Sequence, residues 1–381
     1  MTPAQAGARP SLGTVAAQWL RIGAIGFGGP PAHITLLRQL CVERRGWIGE
    51  GEFEDGIAAC NLLPGPASTQ LAIFCARRLR GFVGGLVGGA CFIAPGLVAI
   101  LALSALLLSA HPARPVVYAA AGAGAAVAAV ALHAGLGLVP ASWRRTGDSR
   151  AGRVRWVLYL AAGAAAAVTL GPWLVLVLLA AGLVEAAVRR PRAARGTALS
   201  MTLFPALTAG TLGAVAWTAF KVGALSYGGG FVIIPLMQGD AVSRHHWLTG
   251  DQFLYAVALG QITPGPVVHT VAVVGYAAAG LVGGLLAAVV AFAPSFLFVL
   301  GGARHFDRLR GNATAQAFLS GAGPAAIGAI LGSSLLLGRS LTDVWQIPVL
   351  ALALLWLLVL RRGVVSALLG AAAIGVVVSL F

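Results

Sequence analysis

Asn61-Leu62-Leu63-Pro64-Gly65-Pro66-Ala67-Ser68-Thr69-Gln70 interrupts an apolar stretch, and Gln261-Ile262-Thr263-Pro264-Gly265-Pro266-Val267-Val268-His269-Thr270 repeats the interruption 200 residues later. Pro64 removes a backbone donor and disfavours helix before it, Gly65 permits a tight turn, and Pro66 suits the first position of a new helix. The amides of Ala67, Ser68 and Thr69 then lie at a helix N-terminus. Unpaired N–H groups and the positive end of the helix dipole favour an anion there. One such run alone reads more simply as a proline kink. Its return beside Asn or Gln and a hydroxyl turns the reading towards a binding site.

Working outward, the same offset carries other landmarks. Phe27-Gly28-Gly29 returns as Tyr227-Gly228-Gly229, Trp47 as Trp247 and Phe53 as Phe253, while Ala94-Pro95 returns as Ala293-Pro294 with the offset slipped to 199. Recurrence at so many positions predicts a duplicated unit, residues 1–195 followed by 196–381. The chain is 59% hydrophobic and only 10% charged over 381 residues, which excludes an ordinary soluble domain. At about 20 residues per crossing, the apolar content predicts an all-α polytopic membrane protein of roughly ten transmembrane helices plus proline-broken re-entrant segments. Spans are expected at about 12–29, 82–108, 114–139, 156–170 and 173–188, and then at 203–228, 281–302, 314–338, 345–360 and 363–381. Gly171-Pro172 breaks one long run into a hairpin.

The formal net charge is +15, and 25 of the 26 basic residues are Arg. They cluster in short breaks between apolar runs, which fits cytoplasmic loops rather than a nucleic-acid-binding stripe. Arg77, Arg78 and Arg80 fill one loop whose counterpart at 276–280 has no charge. At the next loop only His111 precedes Arg114, whereas the counterpart has Arg304, Arg308 and Arg310. The bias reverses again at 144–155, with five Arg against Arg339 and Asp343, and once more at 171–172 against Arg361 and Arg362. Opposite phase means that the halves are inverted, each with five spans and one re-entrant stretch. Inverted repeats with broken helices are a recurring architecture of secondary transporters. Cys41, Cys60, Cys75 and Cys91 lack CxxC spacing, so neither a metal nor a disulfide framework is expected. The N-terminus has no short apolar run before a small-residue cleavage site, and a cleaved signal peptide is not expected.

The candidate site gathers around the broken segments: Asn61, Pro64, Gly65, Pro66, Ser68, Thr69 and Gln70 in the first half, and Gln261, Thr263, Pro264, Gly265, Pro266, His269 and Thr270 in the second. Gly28 and Gly29, with Gly228 and Gly229, permit close backbone approach to a ligand or a neighbouring helix. Arg21 and Lys221, the only lysine, stand at equivalent places inside the first span of each half. Ionisable groups there usually mark a pathway, with snorkelling to the interface as the bland alternative. Together they would balance a dianion. His33, Glu43, Asp240 and His269 are polar groups near the breaks that could carry protons. Gly84-xxx-Gly88 and Gly280-xxx-Gly284 read as helix packing. Enzyme motifs such as HExxH, GxSxG and CxxCH are absent, so neither an enzyme nor a bound cofactor is expected.

Phe27-Gly28-Gly29-Pro30, Ala32-His33-Ile34, Trp47 and Asn61-Leu62-Leu63-Pro64-Gly65-Pro66 with Thr69-Gln70 resemble the first-half signature of the chromate ion transporter family. The second copy, with Tyr227-Gly228-Gly229-Gly230 and Thr263-Pro264-Gly265-Pro266, resembles its two-domain members. The resemblance covers nearly the whole chain. It implies export of chromate from the bacterial cytoplasm through the inner membrane, chromate resistance, and sulfate as a related oxyanion. Sulfate or another oxyanion as true cargo is the alternative, and a membrane-embedded chromate reductase is a further one. The partners implied are the small oxyanion and the lipid bilayer, not nucleic acid, with homodimerisation left open. The second half departs from the first-half pattern at Gly230 and Val268, so the two need not contribute equally.

Overall fold

A computed structural model describes residues 10–60, 63, 65–147, 149–170, 173–189, 210–226, 233–302 and 312–381, and every regular element among them is helical. The expected boundary near Arg195 and the Gly171-Pro172 break lie outside the described residues. The first part of the chain supplies α1 (Leu12–Ile25), α2 (Pro30–Arg38), α3 (Glu50–Cys60), α4 (Ala67–Leu107), α5 (Arg114–Arg144), α6 (Arg150–Thr169) and α7 (Leu174–Arg189). The second supplies α8 (Gly210–Leu225), α9 (Ile233–Gln238), α10 (Gly250–Ile262), α11 (Thr270–Phe296), α12 (Ala313–Arg339), α13 (Gln346–Leu354) and α14 (Val364–Val378). Helix α2 is prolonged by a π-turn over Gln39–Arg44, and α9 by its counterpart over Gly239–Arg244.

Ala67–Leu107, Arg114–Arg144, Val267–Gly301 and Ala313–Arg339 are long and apolar enough to cross a membrane, and α14 is a shorter apolar helix. With almost no charge to solvate, such helices stand in lipid, and the chain is a multi-pass membrane protein. The first of these stretches is not straight. Arg80 and Gly81 leave helical geometry, Gly81 with φ +66, and a Cβ on Gly89 would lie 2.7 Å from the Ile73 side chain. Sixteen residues of straight helix would hold those two about 24 Å apart, so the chain doubles back at Gly81. The expected loop at 77–80 is therefore a glycine reversal between Ala67–Leu79 and Phe82–Leu107. Gly280, φ +61, makes the same reversal in α11, and Gly275 packs on Gly283 across it.

Close approaches of small residues fix the helix pairs. A Cβ on Gly23 of α1 would lie 2.3 Å from the Phe92 carbonyl oxygen of α4, and one on Gly223 of α8 would lie 2.1 Å from that of Ala291 in α11. No other residue permits backbones this near. Beyond those pairs the contacts cross over. Helix α12 packs along α6 and α7, and α5 packs along α13 and α14. Gly328 of α12 meets the Leu160 carbonyl of α6, and Gly375 of α14 meets that of Tyr118 in α5, each with room for no Cβ. Every late helix of one sequence repeat thus rests on the middle helix of the other.

Candidate functional site

The two Pro-Gly-Pro tips also cross over. Gly65, with φ +122, donates its amide to the Ser226 carbonyl at the end of α8, 3.1 Å away. Gly265, with φ +96, donates to the Gly26 carbonyl at the end of α1, 2.9 Å away. Gly26 and Ser226 are themselves 200 positions apart, so one bond is the image of the other. Each tip also touches the long helix of the opposite half at equivalent depth. A Cβ on Gly65 would meet the Ser295 hydroxyl of α11 at 2.9 Å, and one on Gly96 of α4 would meet the Pro264 carbonyl at 2.1 Å. Gly29 lies beside Val267, which brings the turn after α1 against the second tip.

Pro66 (φ −69) precedes α4, which starts at Ala67. The first helical backbone bond runs from the Gln70 amide to the Pro66 carbonyl at 3.0 Å. The amides of Ala67, Ser68 and Thr69 are thus the ones for which the helix has no carbonyl. At the second tip Pro266 leads into a 3-10 turn, Val267–His269. The His269 amide bonds to the Pro266 carbonyl at 2.9 Å, so only Val267 and Val268 remain in that position.

Around these ends the structure concentrates buried polar atoms with no hydrogen-bond partner among the described residues: the Ser68, Thr69, Ser226 and Ser295 hydroxyls, Gln261 Nε2 and His33 Nδ1, with the buried His269 ring beside the Ile93 backbone. Thr69 and His269 are wholly buried. A buried polar group without a partner costs about 1–3 kcal/mol, which makes a cluster of them at two helix starts the candidate place for a ligand. The two histidines approach it from opposite sequence repeats. His33 donates from Nε2 to the Gly26 carbonyl at 2.9 Å, since a carbonyl only accepts, and packs edge-on to Phe92. His269 does likewise against Phe292.

The remaining expected residues fall as follows. Asn61, Pro64, Gly228 and Gly229 lie outside the described residues. Gln70 is buried beside Gly65. Thr263 and Thr270 turn their hydroxyls back to the Leu259 and Val267 carbonyls, at 2.7 and 2.8 Å. Gly28 and Gly29 have φ +97 and +74, the left-handed turn that only glycine enters freely. Arg21 stands exposed with Leu20 and Ile25, away from the Val15, Trp19 and Ile22 face buried on α4. Lys221 forms an ion pair with Asp240 on the π-turn after α9, and Thr218 donates to the same carboxylate oxygen at 3.0 Å. Neither basic residue presents a free cation to the tips. Glu43 sits on the equivalent π-turn of the first half.

A cavity of about 190 Å³ leads to the first tip. Leu63, Gly65 and Ala67 of the tip line it together with Arg145, Tyr159, Glu185 and Arg189. Sequence reasoning passed over Glu185, Ser226 and Ser295. Glu185 had a readable signal, being the only acidic residue in the apolar run 174–189. The two serines looked like ordinary small residues of spans, and only contacts across the repeats give them a role.

The family model described as chromate transporter matches residues 13–186 and 213–376. The chromate transport protein of Cupriavidus metallidurans is 33% identical over 361 residues, covering 90% of this chain and 86% of that one. A probable chromate transport protein of Synechococcus elongatus is 32% identical over 365 residues, 91% and 90% of the two chains. The chromate transport protein of Pseudomonas aeruginosa is 31% identical over 337 residues, 82% and 78%. No solved structure matches this chain.

Proposed function

This chain belongs to the chromate transporter family, and on that premise we propose that it exports chromate from the bacterial cytoplasm across the inner membrane, conferring chromate resistance without catalysing a reaction. Sulfate, an oxyanion of the same shape and charge, is the related cargo. The observation that carries this reading is the reciprocal docking of the two tips, Gly65 on Ser226 and Gly265 on Gly26. On this reading the two helix starts, with the hydroxyls and imidazoles beside them, face one buried oxyanion. An oxyanion without its water shell needs donors from several sides. Ser68 and Thr69 with their amides, and Gln261, His269 and the Val267 and Val268 amides, are the proposed contacts. Their positive potential comes from the helix ends, because Lys221 is already neutralised by Asp240.

The crossed helix pairs and the opposite phase of arginine in the loops support two inverted halves of five spans each, with 1–195 and 196–381 as the units. On that topology Arg145 and Arg189, which line the cavity, stand on its cytoplasmic side. Direction follows from charge. A dianion leaving an inside-negative cell at about 100 mV gains roughly 4.6 kcal/mol, so export can run without an obligatory coupling ion.

The test is flux in proteoliposomes holding the purified protein, with chromate or sulfate inside and an imposed voltage. Voltage-driven chromate efflux above that of protein-free vesicles is expected, with sulfate competing. Equal leak in both preparations would refute transport, and sulfate flux undisturbed by excess chromate would refute chromate as cargo.

A further inference from the structure

The cavity is also lined by a carboxylate that neither tip uses. Glu185 is 3% exposed and fully engaged. Its Oε2 accepts from Arg155 Nε at 2.7 Å and from the Tyr159 hydroxyl at 3.1 Å. Its Oε1 accepts from Arg189 Nε at 2.5 Å and from Arg155 Nη2 at 3.3 Å. Burying a carboxylate in a membrane protein is costly, and where only packing is wanted an apolar residue serves as well or better. The placement is also informative. Tyr159, Glu185, Arg189 and Arg145 line the same cavity as Gly65 and Ala67.

We propose that the arginines lining this cavity form a second oxyanion-binding site, a waiting site before the tips, in which Glu185 occupies Arg189 until a tetrahedral dianion displaces it there. A guanidinium fork engages a carboxylate and a tetrahedral oxyanion through the same parallel N–H···O bonds. On Arg189, Glu185 is thus an internal stand-in for the cargo. The charge balance agrees. With Glu185 kept by Arg155, the two guanidiniums that line the cavity, Arg145 and Arg189, offer two positive charges to a dianion. Arg189 is 39% exposed in its side chain and is the group an incoming anion reaches first, while Arg155 stays on Glu185. The site rests on the transport reading only for the identity of its anion.

The experiment is equilibrium binding of labelled sulfate, and of chromate in competition, to the full-length protein in lipid nanodiscs, paired with flux measurements. Glu185→Gln removes the competing charge and is expected to tighten oxyanion binding about tenfold, while Arg189→Gln weakens it about tenfold, each the worth of one charge-assisted hydrogen bond. A purely structural Glu185 would instead lower thermal stability in Glu185→Gln and leave affinity alone, and that result overturns the proposal. Should Glu185→Gln fail to fold, Arg189→Gln decides, because Arg155 still holds Glu185 there, and unchanged affinity sinks the site. Absence of saturable binding to the wild-type protein sinks it too. The tips are judged separately. If Ser68→Ala/Thr69→Val abolishes flux while Arg189→Gln leaves affinity unchanged, the waiting site alone falls. If the tip variant transports normally while Arg189→Gln weakens binding, the waiting site stands and the tip reading falls.

Discussion

At the first tip the helix starts at Ala67 and carries Ser68 and Thr69 with unpaired hydroxyls. At the second a 3-10 turn takes up Val267–His269, Val268 stands where Ser68 stands, and an imidazole replaces the Thr69 hydroxyl. What the two share is backbone: a glycine amide given to the opposite half, and a proline leading into the helix. Docking that uses only backbone atoms leaves the side chains free to diverge. The chemistry has therefore become one-sided, with more free amides and hydroxyls at the first tip and the titratable group at the second. The same divergence separates the first spans of the two halves. Lys221 has a buried partner in Asp240, whereas position 40, its equivalent, is Leu and Arg21 is exposed.

The largest effect is expected where this asymmetry buries charge. Lys221→Met leaves Asp240, which is 1% exposed, without its counterion, and the loss of stability should be about 3–5 kcal/mol. Lys221→Met/Asp240→Leu copies the apolar arrangement of the first half at position 40 and should recover most of it. Thermal unfolding in nanodiscs distinguishes the two. A double variant as unstable as the single would mean that the second half needs the pair for more than charge balance.

Next in size is the contrast between Gly96 and Ser295, which receive the tips at equivalent depth. Gly96→Ala sets a methyl 2.1 Å from the Pro264 carbonyl and 2.7 Å from the His269 ring. Overpacking of this kind costs about 1–3 kcal/mol, and displacement of the tip should cut flux at least tenfold. Ser295→Ala removes a hydroxyl unpaired among the described residues and should stay within about threefold, since no hydrogen bond to them is lost. Equal effects would show that tip position matters less than the polarity around it.

The sequence went far towards this fold because membrane helices announce themselves by length. The spans expected at 114–139 and 314–338 are α5 (Arg114–Arg144) and α12 (Ala313–Arg339), since a run of apolar residues bounded by charge has one way to satisfy its backbone in lipid. The tips were legible from Pro-Gly-Pro. What they dock on was not, because Gly65 meets Ser226 across 161 positions and no local pattern encodes that pairing. The reversal at Gly81 was readable only as a break. Arg21 and Lys221 show the limit of symmetry as an argument. Equivalent positions in a repeat share a backbone, while the direction and partner of a side chain depend on residues such as Asp240 that the repeat does not preserve.

A smaller effect is expected at the first tip's hydroxyls. Ser68→Ala/Thr69→Val keeps the shape of both side chains closely and removes two buried hydroxyls without partners among the described residues. If they hold the oxyanion, kcat/KM for chromate or sulfate flux should fall about tenfold or more, the worth of one to two hydrogen bonds. Val268→Ala, at the matching place in the second tip, should change it less than twofold. A loss at Val268→Ala as large as that at the first tip would restore the two ends to equal roles.

The smallest effect belongs to Arg21. Its side chain is exposed and turned away from the face that packs on α4, and a long cationic side chain so placed keeps its head at the polar boundary while its stem lies along apolar surface. Arg21→Gln should therefore alter oxyanion KM less than twofold, with stability within about 0.5 kcal/mol, as for surface substitutions in general. The result cuts both ways. A tenfold rise in KM with unchanged kcat would mean that α1 turns Arg21 towards the cargo in another state of the transport cycle. The first half would then supply by movement the positive charge that the second half has fixed permanently on Asp240.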